Sequence, residues 1–166
     1  NKEHTVIFFF FFVSHGPTYY QRVPKDQVLF TPTCDRADIE NCKVEEIVNS
    51  YDNTIAYTDY ILKGVVDTLE EHSQDFGTAM FYISDHGESL GEYGLFLHGT
   101  PYSVAPNTQT HVPMMGWFSK SFIDDHNMNM ECLSKNAKSG DFSQDNFFHS
   151  MLGILDVNTK LYDDNL

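Results

Sequence analysis

Four residues carry the chemistry this sequence offers: His15 in "SHG", Asp85 and His86 in "SDHG", and His98 in "LHG". Imidazole nitrogen and carboxylate oxygen are ligands that Zn2+ takes at about 2 Å, and a catalytic zinc site leaves a position open to substrate. Three of the four lie in "SDHGESLGEYGLFLHG", Ser84–Gly99, which also holds Glu88, Glu92 and four glycines. Adjacent Asp85 and His86 reach one ion if a strand has ended and the backbone turns, and Gly87 permits that turn. Twelve positions separate His86 from His98, with Gly91 and Gly94 between them, enough flexible chain to return His98 to the same edge. These residue types favour a metal site over the alternative, a polar surface loop with incidental histidines.

The elements that must position them follow from the hydrophobic pattern. Thr5 to Val13, "TVIFFFFFV", reads as a strand buried on both faces, as in a parallel sheet. Ser14 to Lys43 holds three prolines and a glycine and reads as a long loop with little regular structure. Val44 to His72 places Ile47, Tyr51, Ile55, Leu62, Val65 and Leu69 mostly three or four apart, an amphipathic helix in which Gly64 is a weak point. Thr78 to Ile83 is a second buried strand and Val112 to Phe118 a third, with its proline near the start. Asp124 to Asp141 reads as an irregular polar excursion. Phe142 to Leu155 reads as a closing helix capped by Ser143, with Phe147, Phe148, Met151, Leu152 and Leu155 facing inward.

Strand, long helix and strand form a βαβ unit, whose strands lie parallel in one sheet. Ligands of open parallel sheets bind beyond the carboxyl ends of the strands. "SHG" follows the first strand and "SDHG" the second, so His15, Asp85 and His86 are expected on one edge. The other histidines take structural or solvent-facing readings: His4 and His111 precede strands, His72 suits a helix C-terminus, His126 lies in a polar loop and His149 on the closing helix. Glu88 and Glu92 are read as exposed, with orientation of a ligand as the alternative. Tyr19 and Tyr20 either line a cleft or pack the loop.

Composition bounds the partners. A net charge of −14 with 10 Lys and Arg gives no basic face for a phosphate backbone, so nucleic acid is excluded as a partner. A hydrophobic content of 41% over 166 residues suits one globular domain. No apolar run approaches the roughly 20 residues that span a bilayer. The chain begins abruptly on a strand without a signal peptide, as an excised piece would. Cys34 and Cys42 lie eight apart in a turn-rich segment, either closing a disulfide loop in an oxidising compartment or standing as two unrelated thiols. Cys132 has no evident partner in the sequence.

"SHGPTYY", "FTPTCD", "NCK", "NSYDNTIAYTDYIL", "YISDHGESLGEYGLFLHGTPYSVAP", "VPMMGWFS" and "FSQDNFFHSMLGIL" together resemble the lipid A phosphoethanolamine transferases, including the mobile colistin-resistance enzymes, of the alkaline phosphatase and sulfatase superfamily. The resemblance runs in order along nearly the whole chain. It implies an alkaline phosphatase-like three-layer α/β/α sandwich with a mostly parallel sheet, incomplete here, residues 1–166 being the C-terminal portion of a periplasmic catalytic domain. It implies localisation at the periplasmic face of the bacterial inner membrane through an N-terminal region that is missing. The implied reaction is zinc-dependent: a threonine takes phosphoethanolamine from phosphatidylethanolamine and passes it to lipid A, giving polymyxin resistance.

On the matching positions, Asp85 and His86 would bind zinc, and His15 and His98 would contact the transferred phosphate or a second zinc. Cys34 and Cys42 would form a family disulfide. No threonine here matches the nucleophile's motif, so the isolated chain is expected to be inactive. Phe10 and Val13 stand where the family commonly has a histidine and a glycine. The alternatives are a related phosphatase, sulfatase or phosphoglycerol transferase, or a non-catalytic piece.

Overall fold

The computed structural model describes residues 5–139 and 142–162. They form a mixed α/β structure dividing into two compact units, Phe10–Asn127, and Met128–Leu166 with Asn1–Phe9. The expectations for His4 and for Asp141 fall outside the described residues.

The larger unit is organised on one long helix, α1 (Val44–Glu71), of 28 residues. It begins where the Lys43 backbone N–H donates to Glu46 Oε2 at 3.0 Å, with Glu45 and Glu46 beside the positive end of the helix dipole. It runs unbroken through Gly64 and ends at His72, whose N–H reaches the Thr68 carbonyl. The expected helix is present almost residue for residue, but its buried face is not the expected apolar stripe. Ile47 and Leu62 are buried together with Ser50, Asn53, Thr54 and Thr58, whereas Ile55 is exposed.

The polar residues are buried because the preceding loop, 14–43, bonds to them. Asn53 Oδ1 accepts the N–H groups of Leu29 and Phe30 at 2.7 and 2.9 Å, and its Nδ2 donates to the Phe30 carbonyl at 2.8 Å. Ser50 Oγ accepts the Cys34 N–H at 2.7 Å and donates to the Glu46 carbonyl at 2.8 Å. An irregular loop leaves backbone groups that must be paired when covered, and α1 supplies the partners. The loop folds as three short 3-10 turns, Tyr19–Gln21, Lys25–Gln27 and Ile39–Asn41. Cys34 and Cys42 are joined in a disulfide, with Cα atoms 5.9 Å apart. Around it Tyr19, Cys34, Ile39 and Ile47 form the buried cluster, against which Cys42, Tyr51, Leu90, Phe96 and Leu97 pack.

Two small sheets complete this unit. β1 (Ala79–Ile83) pairs with β4 (Met114–Phe118), and β2 (Ser89–Leu90) with β3 (Phe96–Leu97), both antiparallel. Thr5–Phe12 is not a strand: it makes no ladder, and Phe8, Phe9, Phe10 and Phe12 are all more than 60% exposed. A strand is a ladder shared with a neighbour, and the described ladders do not include these residues. The parallel pairing expected of a βαβ unit therefore has no counterpart among the described ladders.

A short helix, α2 (Asn107–Thr110), precedes β4, and α3 (Lys120–Asp125) follows it. Ser119 Oγ caps α3 through the Phe122 N–H at 3.2 Å and also accepts the Thr78 N–H at 3.0 Å. The second unit contains α4 (Met130–Ser139) and α5 (Asp145–Ile154). The stretch from Asp124, read as irregular, thus holds the end of α3 and all of α4. Polar composition concealed the helices, since α4 leaves Leu133 exposed and buries no large apolar face. α5 starts later than expected, its Ser143 hydroxyl accepting the Asp145 N–H at 3.1 Å, and Phe148, expected inward, is half exposed.

Asn53→Ala leaves three backbone groups of the loop without partners and is expected to destabilise the chain by about 2–3 kcal/mol in urea unfolding. Ile55→Ala, at an exposed position, is expected to cost no more than about 0.5 kcal/mol. The bidentate Arg36 guanidinium, 2.6 and 2.5 Å from Asp38, holds that carboxyl down to about 2. Because the folded value lies below the ordinary one of about 3.9, the pair's contribution is present above that pH and is lost as pH falls through about 2. An NMR titration of Asp38 is expected to give this low midpoint, and Arg36→Gln to return it toward about 3.9.

Candidate functional site

His15, His86 and His98 converge, each offering one ring nitrogen, with these atoms all within 4.8 Å of one another. Their ring centroids lie 5.9 Å apart for His15 and His86, 4.8 Å for His15 and His98, and 4.0 Å for His86 and His98. His15 and His86 are half-buried and His98 is on the open side. Tetrahedral coordination at about 2 Å sets nitrogen ligands roughly 3.3 Å apart, so the cluster closes on an ion by small ring movements.

The local backbone explains the convergence. His15 follows a turn, its N–H reaching the Phe12 carbonyl at 3.4 Å, and precedes Gly16, which is buried. A Cβ on Gly16 would stand 2.4 Å from Leu97 Cδ2 and 2.8 Å from the Tyr19 hydroxyl, so any side chain there must displace Leu97 and Tyr19 for the His15 loop to approach β3. His86 leaves β1 through Ser84, whose hydroxyl donates to the His86 carbonyl at 2.8 Å. Leu97 (φ 64°) and Gly99 (φ 99°) flank His98 with left-handed backbone, reversing the chain there. Gly87 was expected to supply a turn, but its φ is not left-handed. A Cβ would lie 2.1 Å from the Thr108 carbonyl oxygen, so glycine is required for close approach to α2.

Each ring has one nitrogen already engaged. Nδ1 of His15 is 2.8 Å from the Gly16 carbonyl, and Nδ1 of His86 is 2.9 Å from the Gly87 carbonyl. Nδ1 of His98 is 3.1 Å from Glu88 Oε1. A carbonyl or carboxylate only accepts, so these contacts place the proton on Nδ1 and leave the Nε2 lone pair of each ring available. This is the arrangement of metal-binding histidines, whose second nitrogen is fixed by an outer partner.

Asp85 borders the three without joining their cluster. Its side chain is 90% exposed, its Oδ1 accepts the His86 N–H at 3.0 Å, and its Oδ2 is 3.9 Å from His86 Nε2. The other histidines are elsewhere: His72 ends α1, His126 stacks on Phe122 with centroids 4.0 Å apart, and His149 lies beside Phe148 and Tyr162 in the second unit. His111 is exposed just before β4.

Glu88, expected at the surface, is buried. It is 5% exposed, and besides His98 it accepts the Gly16 N–H at 3.1 Å and the Tyr19 hydroxyl at 3.2 Å. Tyr19 is 1% exposed; burial foremost, then the adjacent Glu88 charge and hydrogen bond, push its phenol far above the usual range. It therefore remains a donor to Glu88 at every working pH. Burial and Glu88 raise Tyr51 in the same direction, and burial and Asp85 raise Tyr82. Tyr20, by contrast, accepts from Gln21 Nε2 at 2.8 Å at the surface. Glu92 accepts the Leu90 N–H at 2.7 Å and fixes the β2–β3 turn.

The sulfatase family profile matches residues 1–157. The chain belongs to the sulfatase family. Among similar members of that family, phosphoethanolamine transferase EptA of Salmonella typhimurium is 51% identical over 149 residues, covering 90% of this chain and 27% of that protein. The integral membrane protein lipooligosaccharide phosphoethanolamine transferase A from Neisseria meningitidis superposes with a TM-score of 0.89 at 43% identity, over 92% of this chain and 28% of that one. The C-terminal periplasmic domain of phosphoethanolamine transferase EptC from Campylobacter jejuni gives 0.80 at 43% identity, over 91% and 47%. The alkaline phosphatase-like fold read from the sequence is that of these sulfatase-family domains. The chain spans 27% of the length of the EptA relative.

Gly87→Ala drives a Cβ into backbone and is expected to destabilise the chain by about 2–3 kcal/mol. Gly94→Ala meets open space at φ 74°, and only the left-handed penalty of about 1 kcal/mol is expected. Paired chemical denaturation curves of the two variants check the ordering.

Proposed function

We propose that the protein to which this chain belongs is a zinc-dependent phosphoethanolamine transferase and that His15, Asp85, His86 and His98 supply part of its metal and phosphate site. The observation carrying this reading is the convergence of three imidazoles, each with Nδ1 already engaged, within 4.8 Å. Nitrogen donors with a carboxylate beside them suit zinc better than the all-oxygen shells of calcium or magnesium. His86 and Asp85 are adjacent in sequence and would hold the ion together, and His15 and His98 would contact the transferred phosphate or a second zinc. Bound there, zinc supplies Lewis-acid polarisation of phosphoryl oxygens and lowers the pKa of a hydroxyl nucleophile.

The chain's own residues do the positioning. Glu88 keeps the Nδ1 proton of His98 in place, so in one tautomer Nε2 would be free to meet an ion or a phosphoryl oxygen. Gly16, held by the same carboxylate, fixes the loop from which His15 projects. The nucleophile is assigned to a threonine outside these residues, following the family resemblance. The donor proposed is phosphatidylethanolamine and the acceptor lipid A, at the periplasmic face of the inner membrane. The names of the EptA, EptC and lipooligosaccharide transferase relatives support the group transferred, a membrane setting and a periplasmic domain.

The whole protein is expected to contain zinc by elemental analysis, with His86→Ala and His98→Ala each weakening zinc binding by more than about 100-fold. With a labelled phosphatidylethanolamine donor, label is expected on lipid A. Release of free phosphoethanolamine with unmodified lipid A would instead identify a hydrolase, and a protein without metal would overturn the zinc centre.

A further inference from the structure

We propose that Gln109 is a positioning residue of the metal centre, clamping the loop that carries His86 to the loop that carries His98. This rests on reading the three histidines as a metal site. Gln109 lies in α2 and is 6% exposed. Its backbone carbonyl accepts the N–H of Gly87, the residue after His86, at 2.9 Å. Its side chain reaches the other way. Oε1 accepts the Thr100 N–H at 3.3 Å, and Nε2 donates to Ser89 Oγ at 2.8 Å and to Thr100 Oγ1 at 3.2 Å.

One residue therefore holds positions one and three beyond His86 and two beyond His98. The β2–β3 ladder joins the same two segments through only two residue pairs, Ser89 with Leu97 and Leu90 with Phe96. Beyond Leu97 the His98 ring is held by Glu88, the chain turns through left-handed Gly99, and Gln109 supplies the next fixed point on the backbone, at Thr100. α2 is pressed against Gly87 closely enough to leave no room for a Cβ, and Thr108 Oγ1 lies 3.3 Å from Ser89 Oγ. A primary amide suits the place because it accepts and donates at once in a buried setting. Its removal frees the His98 loop to drift relative to His86 while leaving every ligand atom in place chemically.

The test titrates the whole protein with cobalt(II) alone, whose visible absorption reports coordination geometry as well as affinity. Gln109→Leu, similar in size and unable to hydrogen-bond, is expected to raise the cobalt dissociation constant by about 10-fold or more and to alter the band shape. Gln109→Glu is expected to stay within about threefold of the parent, because its carboxylate still accepts from Thr100 and the Ser89 and Thr100 hydroxyls rotate to donate to it. Ser119→Ala, which unpairs a buried cap away from these loops, controls for general loosening and is expected to lower the melting temperature without moving the cobalt constant. Parent-like binding by Gln109→Leu overturns the proposal, as does an equal loss in Ser119→Ala. If the unmodified protein itself shows no cobalt spectrum, the metal reading of the histidines falls first, and the clamp with it.

Discussion

The buried carboxylate of Glu88 is the constraint on which the rest of the site depends. A carboxylate at 5% exposure is costly unless its oxygens are satisfied. Here three donors from two segments meet it: the Gly16 backbone and the Tyr19 phenol from one loop, and the His98 ring from another. None of the three is a mobile surface lysine whose charge could leave. The segments that must converge for zinc chemistry are therefore the same ones that must converge to keep a charge from being stranded. Stability and site geometry draw on one group, and a change that spoils either disturbs both.

Around that group the architecture is economical in apolar surface. The buried cluster is small, centred on Tyr19, Ile39, Ile47 and the disulfide, and it sits directly beneath the loops of the site. Much of the remaining cohesion is polar, from Ser50 and Asn53 on α1 and from Ser119 at the head of α3. Large aromatic residues are meanwhile left exposed, the Phe8–Phe12 run above all.

The legible parts of this structure are those whose signal is local. The ends of α1 are marked by Glu45 and Glu46 at one terminus and His72 at the other, and β1 and β4 are compact apolar runs. The histidines were legible by residue type and by the glycines around them. What composition could not convey was dependence on distant partners. "TVIFFFFFV" has every local property of a strand yet makes no ladder here, because pairing is a property of the neighbour. Glu88 looks like any surface glutamate until Tyr19, 69 positions away, is folded onto it. Ile55, expected on the buried face of α1, is exposed while Asn53 is buried, because the loop that α1 faces presents backbone amides more than methyl groups.

That last feature has a consequence for how the loop rests on the helix. Apolar contact tolerates sliding, since one methyl can replace another with little change in area. The bonds from Asn53 to Leu29 and Phe30, and from Ser50 to Cys34, exist at a single setting and vanish together if the loop creeps along α1 by one residue. The long helix thus acts as a ruler with detents. The loop 14–43 is indexed on it at fixed notches, so its register along α1 is set by a scale cut into the helix rather than by the compressibility of a core.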